Sequence, residues 1–500
     1  MPESSMSNTS ATEIKYPVTT RAFGMAIIVL SGLQLMVVLD GTVANLALAP
    51  LQADLGLSDA GRNWVLTSYA LAFGGLMLLG GRLGDAFGRK KMFLAGVVLF
   101  TIASLLCGLA VNEATLVAAR ALQGVGAAVA SPTAFALVAT TFAPGPVRNQ
   151  AIAIFAAMTG IGSIVGLILG GALTEVSWRW IFLINVPLGV VIIGLALVAL
   201  KETAATRLAL DVPGAILGTL GCTGVVLAMS EGTELGWTSP IVIVSLIAGL
   251  IFLGLFLLVE RRAANPLLPF SLFENWDRVA TFVAIFFAGG VMFSLAAYVA
   301  LFVQDILGYS PLQAGLAFVP FAFGLGAAAF LASQLVARIA PRWLILSGAV
   351  IMVGWLMVSV TTMNADSSYF PGLFFPVIGI GFGVGLTVVP LPLCAIAGVS
   401  PTEIGPLTAI SLVAQTLGGP LALAVIGALV TSRTLSLGGI SGPATLMNES
   451  QLDALSSGYM FALFCCAVCA VIAGIAALFI RFTPQQVAQA QAAQEDAQKG

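Results

Sequence analysis

Histidine is absent from all 500 residues, and charge of either sign is scarce, with 8% of the chain Asp, Glu, Lys or Arg. The first absence removes the commonest acid–base group and metal ligand, so any proton chemistry falls to carboxylates. The second, beside 59% hydrophobic residues and a mean hydropathy of +1.05, excludes a soluble globular domain. Cysteine is sparse too. Cys107, Cys222, Cys394, Cys465, Cys466 and Cys469 all fall in apolar runs, as small buried hydrophobes would. Neither a disulfide framework nor a metal site is indicated. The chain also lacks a nucleotide loop and a Gly-x-Ser-x-Gly elbow, so there are no candidate catalytic residues and no enzyme is expected. No bound cofactor and no nucleic-acid partner are expected either.

What the chain has is oil. About 20 apolar residues span the hydrocarbon layer as a helix. Fourteen such runs are present, near 22–48, 62–81, 92–111, 114–141, 149–173, 179–200, 212–230, 239–260, 279–304, 312–337, 342–362, 369–395, 405–432 and 457–480. They lack the alternation of barrel strands, and lipid tolerates only helices or closed barrels. The expected fold class is therefore an all-α polytopic membrane protein with 14 transmembrane helices. An even count puts both termini on one side. With the termini inside, sixteen of the 20 basic residues fall on inner segments, while Arg62, Arg179 and Arg433 fall outside and Arg120 within a span. This bias predicts cytoplasmic N and C termini in the cytoplasmic membrane. The polar first twenty residues show no apolar core with a cleavage site, so no removable signal peptide is expected.

One turn concentrates the missing charge. Gly80-Gly81-Arg82-Leu83-Gly84-Asp85-Ala86-Phe87-Gly88-Arg89-Lys90-Lys91 sets four cations, one carboxylate and four glycines between two apolar runs. Its glycines permit a tight reversal, and Asp85 can accept from Arg89 or cap a helix end. The plain alternative is a solvated basic loop. The pattern resembles the signature between the second and third spans of the major facilitator superfamily. That resemblance implies a transporter, with Gly81, Gly84, Asp85, Gly88 and Arg89 as a conformational latch on the cytoplasmic side.

The chain also repeats at a spacing of about 252 residues: Leu55-Gly56-Leu57-Ser58 matches Leu307-Gly308-Tyr309-Ser310, each serine a candidate helix N-cap. The repeat predicts an N-terminal tail (1–21), a six-helix bundle (22–200), a linker with two extra spans (201–278), a second six-helix bundle (279–481) and a polar C-terminal tail (482–500). A 6+2+6 arrangement with the substrate site between the bundles fits the superfamily's architecture.

Two charges lie inside spans. Asp40 sits about two-thirds along the first run, where an unpaired acid costs on the order of 2.5–3.5 kcal/mol and commonly lines a pathway. The alternative is an acid bonded to Thr42 or Asn45 that stabilises a helix break. Leu39, Asp40, Thr42, Asn45, Ala47 and Leu48 match the first-span signature of the fourteen-span drug:proton antiporters. Arg120 opens Arg120-Ala121-Leu122-Gln123-Gly124-Val125-Gly126 at comparable depth, either communicating with Asp40 or snorkelling toward the headgroups. This run resembles the fourth-span motif to which the superfamily's proton coupling is attributed.

Glycines at 162, 166 and 170 share one face of the fifth span, a close-packing pattern. With Gly171 they resemble the motif that marks exporters, except that Leu167 stands where proline is usual. Ser177–Gly189, with Trp178 and Trp180 as interfacial anchors, and Pro266–Phe273 resemble stretches shared by the drug-exporter branch.

Together these readings predict proton-coupled export of amphipathic drug-like molecules by alternating access, drawing on a proton gradient. Gln34, Asn45, Gln123, Gln304 and Gln415 are candidate substrate contacts, and Asp40 with Arg120 the coupling pair. Glu231, Glu234 and Asp305 are placed at outer ends, so a second buried acid is not expected, which favours monovalent cations or neutral substrates. The competing reading is a symporter, or an exporter of one metabolite, on the same fold. A monomer in the bilayer is expected, and use of a periplasmic adaptor is left open.

Overall fold

A computed structural model describes residues 21–142, 146–202, 211–232, 235–263, 274–336, 338–363, 368–399 and 401–487. Among them every regular element is helical. The first half comprises α1 (Arg21–Leu55), α2 (Asp59–Phe87), α3 (Arg89–Gly108), α4 (Glu113–Thr141), α5 (Pro146–Val176), and the pair α6 (Trp180–Leu183) and α7 (Asn185–Ala199). Next come α8 (Val212–Glu231) and α9 (Pro240–Glu260). The second half comprises α10 (Trp276–Leu301) with a π-helical extension (Phe302–Ile306), α11 (Pro311–Ala317), α12 (Val319–Leu335) and α13 (Pro341–Thr362). It continues with α14 (Tyr369–Gly372), α15 (Phe374–Val388), α16 (Pro390–Ala395), α17 (Pro401–Ser436) and α18 (Glu449–Leu478).

Thirteen stretches among the described residues are long and apolar enough to cross a membrane. The remaining run of the sequence falls in α5, of which Ile161–Val176 is the shorter apolar part. Several expected single spans are jointed. Helix α11 gives way to α12 beside Pro320, and α15 to α16 beside Pro390, because proline withholds an amide hydrogen from the preceding turn. The segment Pro266–Phe273 and most of both expected tails lie outside the described residues.

Helices α1–α7 pack among themselves, as do α10–α18, while α8 pairs with α9 and leans on α2 and α17. One apolar core, around Leu30, Met36, Phe93 and Phe100, belongs to the first half, while another, around Tyr298, Phe302, Leu356 and Tyr459, also takes in Ala44, Leu46, Leu48 and Leu66 and so joins the two halves. Both halves turn alike at the repeated tetrapeptide. Gly56 and Gly308 take positive φ of 62° and 68°, and Ser58 and Ser310 accept from the backbone of Gly61 and Gln313. The fold thus has a turn end, carrying Gly88, and an opposite end, carrying Ser58 and Ser310. The halves meet at the opposite end: Ser310 donates to Glu175, and a Cβ on Gly171 would lie 2.6 Å from Leu312 Cα.

Candidate functional site

Asp40 and Arg120 form a direct pair buried in the first bundle, at 2% and 1% exposure. Arg120 Nη1 donates to Asp40 Oδ2 at 2.6 Å, Gln123 Nε2 donates to Oδ1 at 2.7 Å, and Asn185 Nδ2 donates to the same oxygen at 2.9 Å. The i, i+3 spacing of Arg120 and Gln123 on α4 aims both at α1. A buried carboxylate is tolerated only with such compensation. Arg120 holds more than the acid. Its Nε donates to Val65 O at 2.9 Å, its Nη1 donates to Gln123 Oε1 at 2.6 Å, and its plane lies against the rings of Tyr69 and Phe182 at 4.4 and 5.5 Å. A proton arriving on Asp40 would therefore leave the cation with partners.

The snorkelling alternative for Arg120 does not hold, because its head points into the bundle. Nor do Thr42 and Asn45 serve Asp40: Thr42 Oγ1 donates to Val38 O at 3.0 Å and Asn45 Nδ2 to Gly41 O at 3.1 Å, both on their own helix. Asn185 was not singled out from sequence. The available signal was an amide opening the otherwise apolar α7.

The glycine face of α5 packs against α1 on either side of Asp40. A Cβ on Gly162 would lie 3.2 Å from Val38 and one on Gly170 2.7 Å from Val43, while one on Gly166 would collide with Thr42 Oγ1. Gly171 instead faces α11 of the other bundle. Helix α5 is continuous through Leu167, whose amide a proline would remove.

At the charged turn, Arg89 Nη2 meets Asp85 Oδ1 at 2.8 Å and Arg89 Nη1 donates to Ala136 O at 3.5 Å, all within the first bundle. A Cβ on Gly84 would lie 2.5 Å from Thr133 of α4, whereas Gly81 leaves ordinary space of 3.5 Å to Pro132. Gly88 has φ of 101°. Lys90 Nζ donates to Leu197 O and Leu200 O at 2.9 and 2.6 Å, closing the end of α7. Glu202 in turn accepts from the amides of Lys90 and Lys91 at the start of α3, at 3.0 and 3.2 Å. Part of the turn's charge therefore caps helices.

A cavity of about 250 Å³ opens in the second bundle between α10, α13, α15 and α17, lined by Met292, Met352, Thr387, Thr408, Ser411 and Gln415 among others. Of the five candidate substrate contacts, Gln415 lines it. Gln123 does not: it is wholly buried, and its amide is taken by Asp40, Arg120 and Ser104. Gln304 bonds back to Ala300 O at 3.2 Å in the π segment, and Gln34 and Asn45 lie half-buried on α1.

Three sequence placements need correction. Arg62, counted to an outer loop, lies inside α2 at 2% exposure, because its partners Gln52 and Tyr459 draw it inward. A second buried acid, not expected, is present: Asp59 at the start of α2 is 5% exposed, while Asp305 keeps its place at a span end and accepts from Tyr459 of α18 at 2.7 Å. Trp178 is 3% exposed and donates to Asp54 at 2.8 Å, so of the two tryptophans Trp180, 49% exposed, keeps the place of a surface anchor.

Residues 30–423 match the family model of the Major Facilitator Superfamily. The "Uncharacterized MFS-type transporter EfpA" of Mycobacterium tuberculosis is 55% identical over 476 residues, 95% of this chain and 90% of the relative. "Puromycin resistance protein pur8" of Streptomyces alboniger is 40% identical over 423 residues, covering 84% and 83% of the two chains. "Cephamycin export protein CmcT" of Amycolatopsis lactamdurans is 39% identical over 414 residues, covering 80% and 83%. Among solved structures, an inward-facing bacterial homolog of the lysosomal transporter Spinster superposes with a TM-score of 0.66 at 16% identity, covering 93% of this chain and all of that one.

Proposed function

The chain belongs to the Major Facilitator Superfamily, and from that premise we propose that it is a proton-driven exporter of amphipathic, drug-like molecules. Relatives named for puromycin resistance and cephamycin export support the direction of transport and the substrate class. One observation carries the coupling: a carboxylate buried among α1, α4 and α7, held by Arg120, Gln123 and Asn185, with the close-packed α5 against its helix.

In this reading both termini are cytoplasmic, the turn end faces the cytoplasm and the opposite end faces out, in keeping with the inner bias of basic residues. The first and second bundles rock about the midplane, with α8 and α9 as an added pair. A proton from outside neutralises Asp40 and loosens its hold on Arg120, and the chain reorients inward. There the proton leaves as substrate is captured, and the latch around Asp85 and Arg89 secures the cytoplasmic side in the alternate state. The membrane potential adds about 2.3 kcal/mol per charge per 100 mV. Substrate sits against the cavity that Gln415 lines, whose lining carries no charge and suits neutral or singly charged compounds.

Ethidium efflux from energised cells, with and without an uncoupler, tests this. Export that collapses with the proton gradient supports the reading, and export indifferent to it rejects the coupling. Relatives named for a single antibiotic favour a narrower exporter on the same machinery. A panel of efflux substrates separates the two.

A further inference from the structure

The coupling scheme leaves one buried charge cluster unused. At the outer end Gln52 Nε2 donates to Asp59 Oδ1 at 3.0 Å, and Arg62 Nη1 donates to Gln52 Oε1 at 2.8 Å. Arg62 also lies 3.7 Å from Asp59. Across the bundle boundary, Arg62 donates to the Tyr459 hydroxyl at 3.4 Å, and that hydroxyl donates to Asp305 Oδ2 at 2.7 Å. Asp59 and Arg62 are 5% and 2% exposed, and Asp305 is half-buried. Arg62 Nε and Asn63 Oδ1 are buried without a partner, so the cluster's polar groups are not all satisfied as they stand.

The placement of Asp305 is unusual. It lies in the π-helical segment Phe302–Ile306, the one such segment among the described residues, a distortion frequently found at functional sites. The charged groups facing Asp305 are Arg62 and Asp59, joined by the phenol of Tyr459. Tyr298 of α10 also interacts with Arg62 and Asp59, and from α4 the Glu113 carboxylate stands against Gly61 on the same turn of α2. Helix α11 and the short turn Ala444–Leu446, which also pack on the segment, contain no ionisable side chain.

The charges do not balance. Two carboxylates share one guanidinium, so the cluster carries one excess negative charge if both acids are ionised. Burying an uncompensated charge is costly, and one proton removes it. We propose that Asp59, Arg62 and Asp305 form a second proton-binding site, which takes up one proton from outside as the two bundles close over it. The proton moves from external water onto a carboxylate of the cluster. It returns to external water when the bundles part there and each acid is hydrated. Closure of the outer end is then itself proton-linked, separately from Asp40. The sidedness in this statement rests on the topology proposed above.

The test reads closure directly and needs no transported substrate. Spin labels on genetically encoded keto side chains at Ala53 and Leu446, exposed positions at the outer ends of the two bundles, leave the native cysteines in place. Inter-label distances are then measured across pH for the full chain carrying Asp40→Asn in lipid nanodiscs, so that the proton on Asp40 does not enter the linkage. One-proton linkage predicts that the ratio of shut to open chains rises about tenfold per pH unit lowered. Asp305→Asn and Asp59→Asn each leave one acid for one arginine, so both should shut without pH dependence. Arg62→Gln leaves two acids unopposed and should steepen the dependence to about a hundredfold per unit. A flat profile in the Asp40→Asn chain overturns the proposal, as does a slope that survives there when Asp305→Asn and Asp59→Asn are each added. The coupling role of Asp40 stands or falls separately, on efflux.

Discussion

Asp40 and Arg120, 80 residues apart in sequence, meet at 2.6 Å in a pocket closed to solvent. Arg120 keeps further partners when Asp40 is neutral, whereas the carboxylate leans on that cation for its charge. Arg120→Ala strands the carboxylate and should destabilise the protein by about 3–5 kcal/mol, seen as a lowered melting temperature in detergent. Arg120→Lys should recover part of the loss, since an ammonium can reach Asp40 but cannot also supply the Nε bond to Val65 O. Wild-type stability in Arg120→Ala would remove the pair from the account.

The glycines of α5 make a graded prediction. A methyl at Gly162 meets Val38 at 3.2 Å, a mild intrusion, whereas one at Gly166 falls on Thr42 Oγ1. Gly166→Ala should cost about 1–3 kcal/mol through overpacking and slow transport, while Gly162→Ala should be nearly silent. Thr42→Ala in the Gly166→Ala background should restore most of the activity, because the nearest atom then left, Cβ of residue 42, stands 3.3 Å away. Equal effects at 162 and 166 would show that packing on α1 is not the motif's role.

At the turn, latch and scaffold separate by substitution. The Asp85–Arg89 pair is partly exposed and worth little to stability, about 0–1 kcal/mol. Asp85→Asn should therefore slow efflux while leaving the melting temperature unchanged. Gly88→Ala should do the reverse: its φ of 101° strains any side chain, and the new methyl would face Glu202 at 2.7 Å. Transport at wild-type rate in Asp85→Asn would reduce the turn to its helix-capping role.

Much of this was legible in the chain because lipid narrows the choices. Long apolar runs can only be helices, and a lone acid and a lone arginine within them have few partners besides each other. The serine caps of both halves were readable from one tetrapeptide. What escaped depends on contacts between distant segments. Nothing in Asn185's own neighbourhood shows that it turns toward Asp40, 145 residues away. Arg62 and Asp305 look like loop-edge charges because sequence periodicity does not show which span end meets the other bundle. Gln123, by contrast, looked like a cavity amide although the buried acid claims it.

The central claim is that protonation of Asp40 drives exchange, and the most direct measurement is ethidium movement in proteoliposomes under an imposed pH gradient with the membrane potential clamped. The wild type should pump ethidium toward the acidic side, and Asp40→Asn, folded and able to bind ethidium, should lose at least about tenfold of that rate, since a permanently neutral side chain has no proton to exchange. Gradient-driven pumping by Asp40→Asn at the wild-type rate would contradict the account.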